Sequence, residues 1–177
     1  MAKTLLFALG WIAVVVMSST PAVAQQPLQL TRLKPADSEM RRLLLDGYAR
    51  SRAMSDLVSE LEAGDAIVVV QFGTCGNGRV RSCVSNVSSD RRTRHIRIKV
   101  NTRTTDDRLI ATIAHELQHA AEIVRSQETI DVETTLALYR RIGTRNCRTG
   151  LTDKCETEAA VQVEALVNRE LFQASVR

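Results

Sequence analysis

One helix-length segment, residues 105–125, constrains this chain more than any other. Leu109, Ile110, Ile113, Leu117, Ala120, Ala121 and Val124 recur at the spacing of a helix with one apolar face. Thr104 or Thr105 can cap it, and Asp106 and Asp107 stand in the first turn, where the helix dipole favours negative charge. Inside the segment lies His115-Glu116-Leu117-Gln118-His119, which uses two of the three histidines in the chain. At about 100° per residue the two imidazoles stand about 40° apart, on the side opposite the apolar centre. A core histidine pair would belong on the apolar face. This pair is therefore expected to point into a cleft, where two ring nitrogens one turn apart can bind a single metal ion.

Two histidines do not complete such a site, because a catalytic zinc keeps three protein ligands and leaves a fourth position for water. No histidine follows residue 119, so the third ligand must be a carboxylate. A last helix, expected from near Asp153 to the C-terminus, places Glu156 in the middle of the stripe formed by Ala159, Ala160, Val163, Leu166, Val167 and Leu171. An unpaired charge there is costly, and a metal ion is one natural partner; backbone N–H groups or an arginine are the other. Glu158 falls on the solvated side. Glu164, at the margin of the stripe, is the alternative ligand.

The other elements read as packing. Asp37 or Ser38 can cap a helix whose Met40, Leu43, Leu44 and Leu45 precede a break at Gly47. A second helix starts near Ser51, carries Met54, Leu57, Val58 and Leu61, and ends at Gly64-Asp65. Residues 66–72 form a β-branched run suited to a buried strand, and 79–86 are expected to form a second strand. From Thr93 to Asn101, Ile96, Ile98 and Val100 alternate with His95, Arg97, Lys99 and Asn101. These three segments predict a three-stranded, antiparallel meander. A helix from about Asp131 to Ile142 stops at Gly143, and the overall class is α+β, with one domain over 36–177.

Residues 1–24 stand outside that domain. Lys3, an apolar run from Leu5 to Met17 and a small-x-small end at Ala22-Val23-Ala24 have the form of a secretory signal peptide, cleaved before a polar lead segment, 25–35. The apolar run is short of the roughly 20 residues a spanning helix needs. Secretion, or export to a periplasm, makes disulfides the expected state of the four cysteines. Of the three possible connectivities, the two local ones, Cys75–Cys83 and Cys147–Cys155, close the smallest loops. No C-x-x-C pair supports a four-cysteine metal site.

The pairing of the two motifs resembles the gluzincin zinc metallopeptidases, in which H-E-x-x-H is joined by a glutamate on a later helix. Their later motif often reads Glu-x-x-Ala, and Glu156-Thr157-Glu158-Ala159 stands here after 36 intervening residues. The resemblance covers about residues 66–170. It implies a minimal zincin-like fold, one Zn²⁺ held by His115, His119 and Glu156, and Glu116 as general base in peptide hydrolysis. Several gluzincins carry an acidic or amide residue four after the ligand glutamate to orient a histidine, and this chain has Ala160 there. That support would have to come from elsewhere, with Glu122, on the histidine side of its helix, a candidate, or else a surface salt-bridge residue.

Hydrolysis also needs a donor for the transition-state oxyanion. Tyr139 is the catalytic candidate, with His95 and Arg141 as alternatives. A net charge of +4 is too small for a dedicated polyanion binder, and the basic stretch from Arg79 to Arg103 has no interleaved aromatic residue, so nucleic acid is not an expected partner. That stretch reads instead as a solvated hairpin face. The partner expected is a peptide or protein substrate. The rival reading is a metal-stabilised domain that binds an envelope or protein partner without turnover, a role that would not require Glu116.

Overall fold

The computed structural model describes residues 28–76, 78, 80–90, 93–101, 105–144 and 155–176. The expected signal peptide lies outside them. The order of elements is β1 (Leu33–Pro35), α1 (Ser38–Arg50), α2 (Arg52–Ala63), β2 (Ala66–Phe72), β3 (Ser82–Ser89), β4 (Arg94–Val100), α3 (Asp106–Arg125), α4 (Val132–Ile142) and α5 (Glu158–Ser175). The class is α+β as expected, but the sheet is not the expected meander. It has four strands in the order β1-β2-β4-β3, with β1 parallel to β2, β2 parallel to β4, and β3 antiparallel to β4.

The correction has a physical reason in strand composition. β2 and β4 each bury alternate aliphatic residues completely, Val68 and Val70 on one and Ile98 and Val100 on the other, so both suit interior positions. β3 reads Ser-Cys-Val-Ser-Asn-Val-Ser-Ser and buries only Val87. A strand that polar belongs at an edge. The chain therefore passes from β2 to the far edge and returns as β4 beside β2. The fourth strand comes from the segment read as a polar lead: β1 is held by Glu62, whose carboxylate accepts N–H bonds from Thr31, Arg32 and Leu33 at 2.8–3.1 Å.

Helix starts follow cap chemistry. Asp37 Oδ1 accepts from Met40 N at 2.8 Å, Ser51 Oγ from Met54 N at 3.1 Å, and Asp131 and Thr134 form a reciprocal capping box. Thr105 holds the N-cap position of α3 without a side-chain cap bond. Asp106 and Asp107 are tied instead to Arg42 and Arg50 of α1. The other expected cap, Thr104, lies outside the described residues.

Gly47 does not break α1, which runs on to Arg50. Its role is close approach: a Cβ there would meet Ile110 Cγ2 of α3 at 2.6 Å. Ile110 is fully buried and cannot swing aside. Gly47→Leu is therefore expected to lower unfolding free energy by about 2–3 kcal/mol through overpacking, despite the better helix propensity of leucine. Urea titration reads this directly, and an unchanged midpoint would show that α1 and α3 can move apart freely.

α3 is the central element. Every residue from Leu109 to Ile123 is buried, because α1 and α2, the sheet and α5 all pack on it. The histidine side, expected to face a cleft, meets Glu164 of α5 at His115 and opens on a cleft at His119. No described helix is long and apolar enough to cross a membrane.

Candidate metal centre

His115 and His119 stand one turn apart on α3, with ring centroids 4.9 Å apart. Glu156 arrives from the segment just before α5. One ligand atom from each of the three residues falls within 4.8 Å of the others, and they form the group among the described residues that could hold a metal ion. Tetrahedral coordination at about 2.0–2.1 Å sets such donors roughly 3.3–3.5 Å apart, so small side-chain shifts suffice. In this structure His115 Nε2 lies 2.9 Å from Glu156 Oε2.

Glu156 reaches the site differently from the way its helix phase suggested. α5 begins at Glu158 with Thr157 as N-cap, so Glu156 precedes the helix. It is held by its backbone: Thr144 N and Oγ1 both donate to its carbonyl oxygen, at 2.8 and 3.2 Å. The apolar stripe of α5 packs on α3 without it.

Each histidine has a carboxylate at its Nδ1, leaving Nε2 for the centre. Glu122 Oε2 lies 2.9 Å from His119 Nδ1, and Glu164 Oε2 lies 3.1 Å from His115 Nδ1. Carboxylates in this position fix ring orientation and tautomer in metal sites. Glu122 thus occupies the supporting place considered for it, and Glu164, weighed as an alternative ligand, faces the outer nitrogen of His115. Ala160 supplies nothing. Burial opposes charge on His115, but Glu156 and Glu164 outweigh it and push its pKa up to about 10 in the metal-free chain. Glu164 and Glu122 are correspondingly held below the usual carboxylate range; His115 causes the first shift, while His119 and Thr157 overcome burial in the second.

Glu116 is 3% exposed. Burial raises its pKa, opposed by the neighbouring histidines and a hydrogen bond with Ser82. Its Oε2 finds no hydrogen-bond partner among the described residues. Such a buried oxygen is satisfied when a water or a ligand enters beside it. Glu116, His119 and Glu156 open on a cleft of about 540 Å³ between Ser82 and Val84 of the edge strand and Leu136 and Tyr139 of α4.

Tyr139 is brought to the site, its ring 5.3 Å from that of His119. Its buried hydroxyl donates to the His119 carbonyl at 3.1 Å, so it braces the ligand helix in this structure. His95 is paired with Asp90 at 3.1 Å, and Arg141 is exposed on α4; neither lines the cleft. The Cys75–Cys83 disulfide forms as expected and borders the cleft. Cys155, next to Glu156, is disulfide-bonded, while the expected pairing with Cys147 falls outside the described residues.

Sequence reasoning missed Thr157. Its hydroxyl donates to Glu122 Oε1 at 2.6 Å and accepts from Ala160 N at 3.2 Å. The signal was a threonine with the spacing of an N-cap, hidden because the helix was expected to start near Asp153.

Fold and site together define an α+β protein with a candidate His-His-Glu metal centre, its histidines on a buried helix and its glutamate just before another. No protein-family model matches the chain, and no curated protein or solved structure matches it.

Proposed function

We propose that this chain is an exported zinc-dependent peptidase of the gluzincin kind, with a minimal zincin-like fold. One observation carries the reading: the His115, His119 and Glu156 ligand atoms converge within 4.8 Å, beside a buried Glu116 whose Oε2 has no hydrogen-bond partner among the described residues. The donor set, two imidazoles and a carboxylate, fits zinc and leaves a position open. When bound, the ion supplies Lewis acidity toward a substrate carbonyl and brings the pKa of water toward roughly 7. His115, His119 and Glu156 would hold it. Glu116 takes a proton from the attacking water at its free oxygen and returns it to the leaving amine. Burial, which raises the proton affinity of that carboxylate, suits it to the role.

Edge strand β3 lines the cleft, so an extended peptide can add to it as a further strand. The Cys75–Cys83 disulfide agrees with an oxidising compartment, and the signal-peptide pattern agrees with export.

Metal analysis of purified protein tests this reading. About one zinc per chain is expected, and Glu156→Ala should lose it. Absence of zinc after reconstitution would make the histidine pair a structural coincidence. Zinc held without hydrolysis of any peptide would favour the partner-binding domain.

A further inference from the structure

The third ligand is not positioned by helix geometry, since Glu156 precedes α5. The next residue, Thr157, is 3% exposed, and its one hydroxyl bonds in two directions. The oxygen accepts from Ala160 N at 3.2 Å and so starts α5. The proton goes to Glu122 Oε1 at 2.6 Å, a short bond to a charged acceptor. The other oxygen of Glu122 lies 2.9 Å from His119 Nδ1. One chain of bonds therefore runs from His119 through Glu122 to the residue adjoining Glu156, joining α3 to α5.

We propose that Thr157 is a positioning residue of the metal centre: its hydroxyl locks Glu122 onto His119 and fixes the point from which Glu156 reaches the ion. This rests on the metal-centre reading above. Glu122 is buried between α3 and α5, and one of its oxygens faces the histidine. The second must be satisfied from elsewhere, and Gln118 Nε2, at 3.4 Å, is a distant donor. Without the threonine proton, Glu122 is left free to turn away from His119.

A simple helix-cap role for Thr157 predicts something different, and substitutions separate the two. Serine keeps both bonds. Glycine loses the proton but serves almost as well at an N-cap, whereas alanine loses both. Zinc affinity, measured by competition with a chromogenic chelator, is expected within about threefold of wild type for Thr157→Ser. It should fall about 10–100-fold for both Thr157→Gly and Thr157→Ala, the range typical of lost outer support. Thermal midpoints should instead separate the two: both fall through loss of the bond to Glu122, and alanine falls further through loss of the cap. In a Glu122→Ala background, Thr157→Gly should weaken zinc by less than about twofold further, because the path it acts through is gone.

Wild-type affinity in Thr157→Gly, affinities that follow the thermal midpoints, or an undiminished glycine effect in the Glu122→Ala background would each overturn the proposal. A wild-type chain that binds no zinc would overturn the metal-centre reading instead, before any variant is compared.

Discussion

Glu116→Gln is expected to keep about one zinc per chain while lowering hydrolysis of a mixed peptide library by at least about 10²–10⁴-fold, the usual contribution of a general base. The substitution removes one capability and little else. Glutamine has the same shape, so the packing of a 3% exposed side chain on α3 is retained, and its amide can still bond with Ser82. His115, His119 and Glu156 are untouched. What is lost is a carboxylate able to take a proton at Oε2, which has no hydrogen-bond partner among the described residues. Metal content and kcat are measured on the same preparation. Full activity with full zinc would remove Glu116 from the mechanism, whereas loss of both together would mean that the change had disturbed the ligands.

The residues of this centre were legible in the sequence because they obey local rules. A four-residue spacing on an amphipathic helix places two histidines together whatever the helix packs against, and a carboxylate is required where no further histidine exists. The route by which Glu156 arrives was not legible. Its helix phase selected the carboxylate that the structure brings beside the histidines, but through a helix that starts two residues later, and the actual restraint is a pair of bonds from Thr144. The strand order was hidden for a related reason: pairing depends on competition among strands for the interior. Burying β2 and β4 side by side outweighs the short connection from β2 to β3, and only the polarity of β3 hinted at its edge position. The cleft expected on the histidine side is present at His119, but its walls, β3 and α4, were not legible, because periodicity gives the direction of a side chain and not what stands opposite it.

The basic stretch contains a sharper case, Arg94. Read by charge alone it belongs to a solvated face, as Arg97 does, yet alternation puts Arg94 on the side of Ile96 and Ile98, and it is 5% exposed. Its guanidinium bonds to the carbonyls of Ile123 and Val124 at 2.7 Å and Ser126 at 2.8 Å, and pairs with Asp65. These carbonyls end α3, the helix that carries the ligands, and a helix end inside the protein needs such partners. Arg94→Met should leave the Val124 carbonyl without this donor, while the Ile123 and Ser126 carbonyls keep Ser126 N and Thr129 N, at a cost of about 1–3 kcal/mol, or roughly 5 °C in thermal midpoint. Acid titration gives a second signature. The Arg94 guanidinium holds the Asp65 carboxyl below its usual range, against the effect of burial. The contribution of Asp65 is therefore present above about pH 4 and lost as pH falls through the lowered folded-state value, since the unfolded chain then binds more protons. The variant should show a shallower acid limb as well as a lower plateau. A loss below about 1 kcal/mol at neutral pH, with the acid limb unchanged, would mean that water satisfies the end of α3 as well as Arg94 does. Saturating zinc should restore part of the stability of the variant, because an ion bound only by the folded state adds its binding free energy to folding.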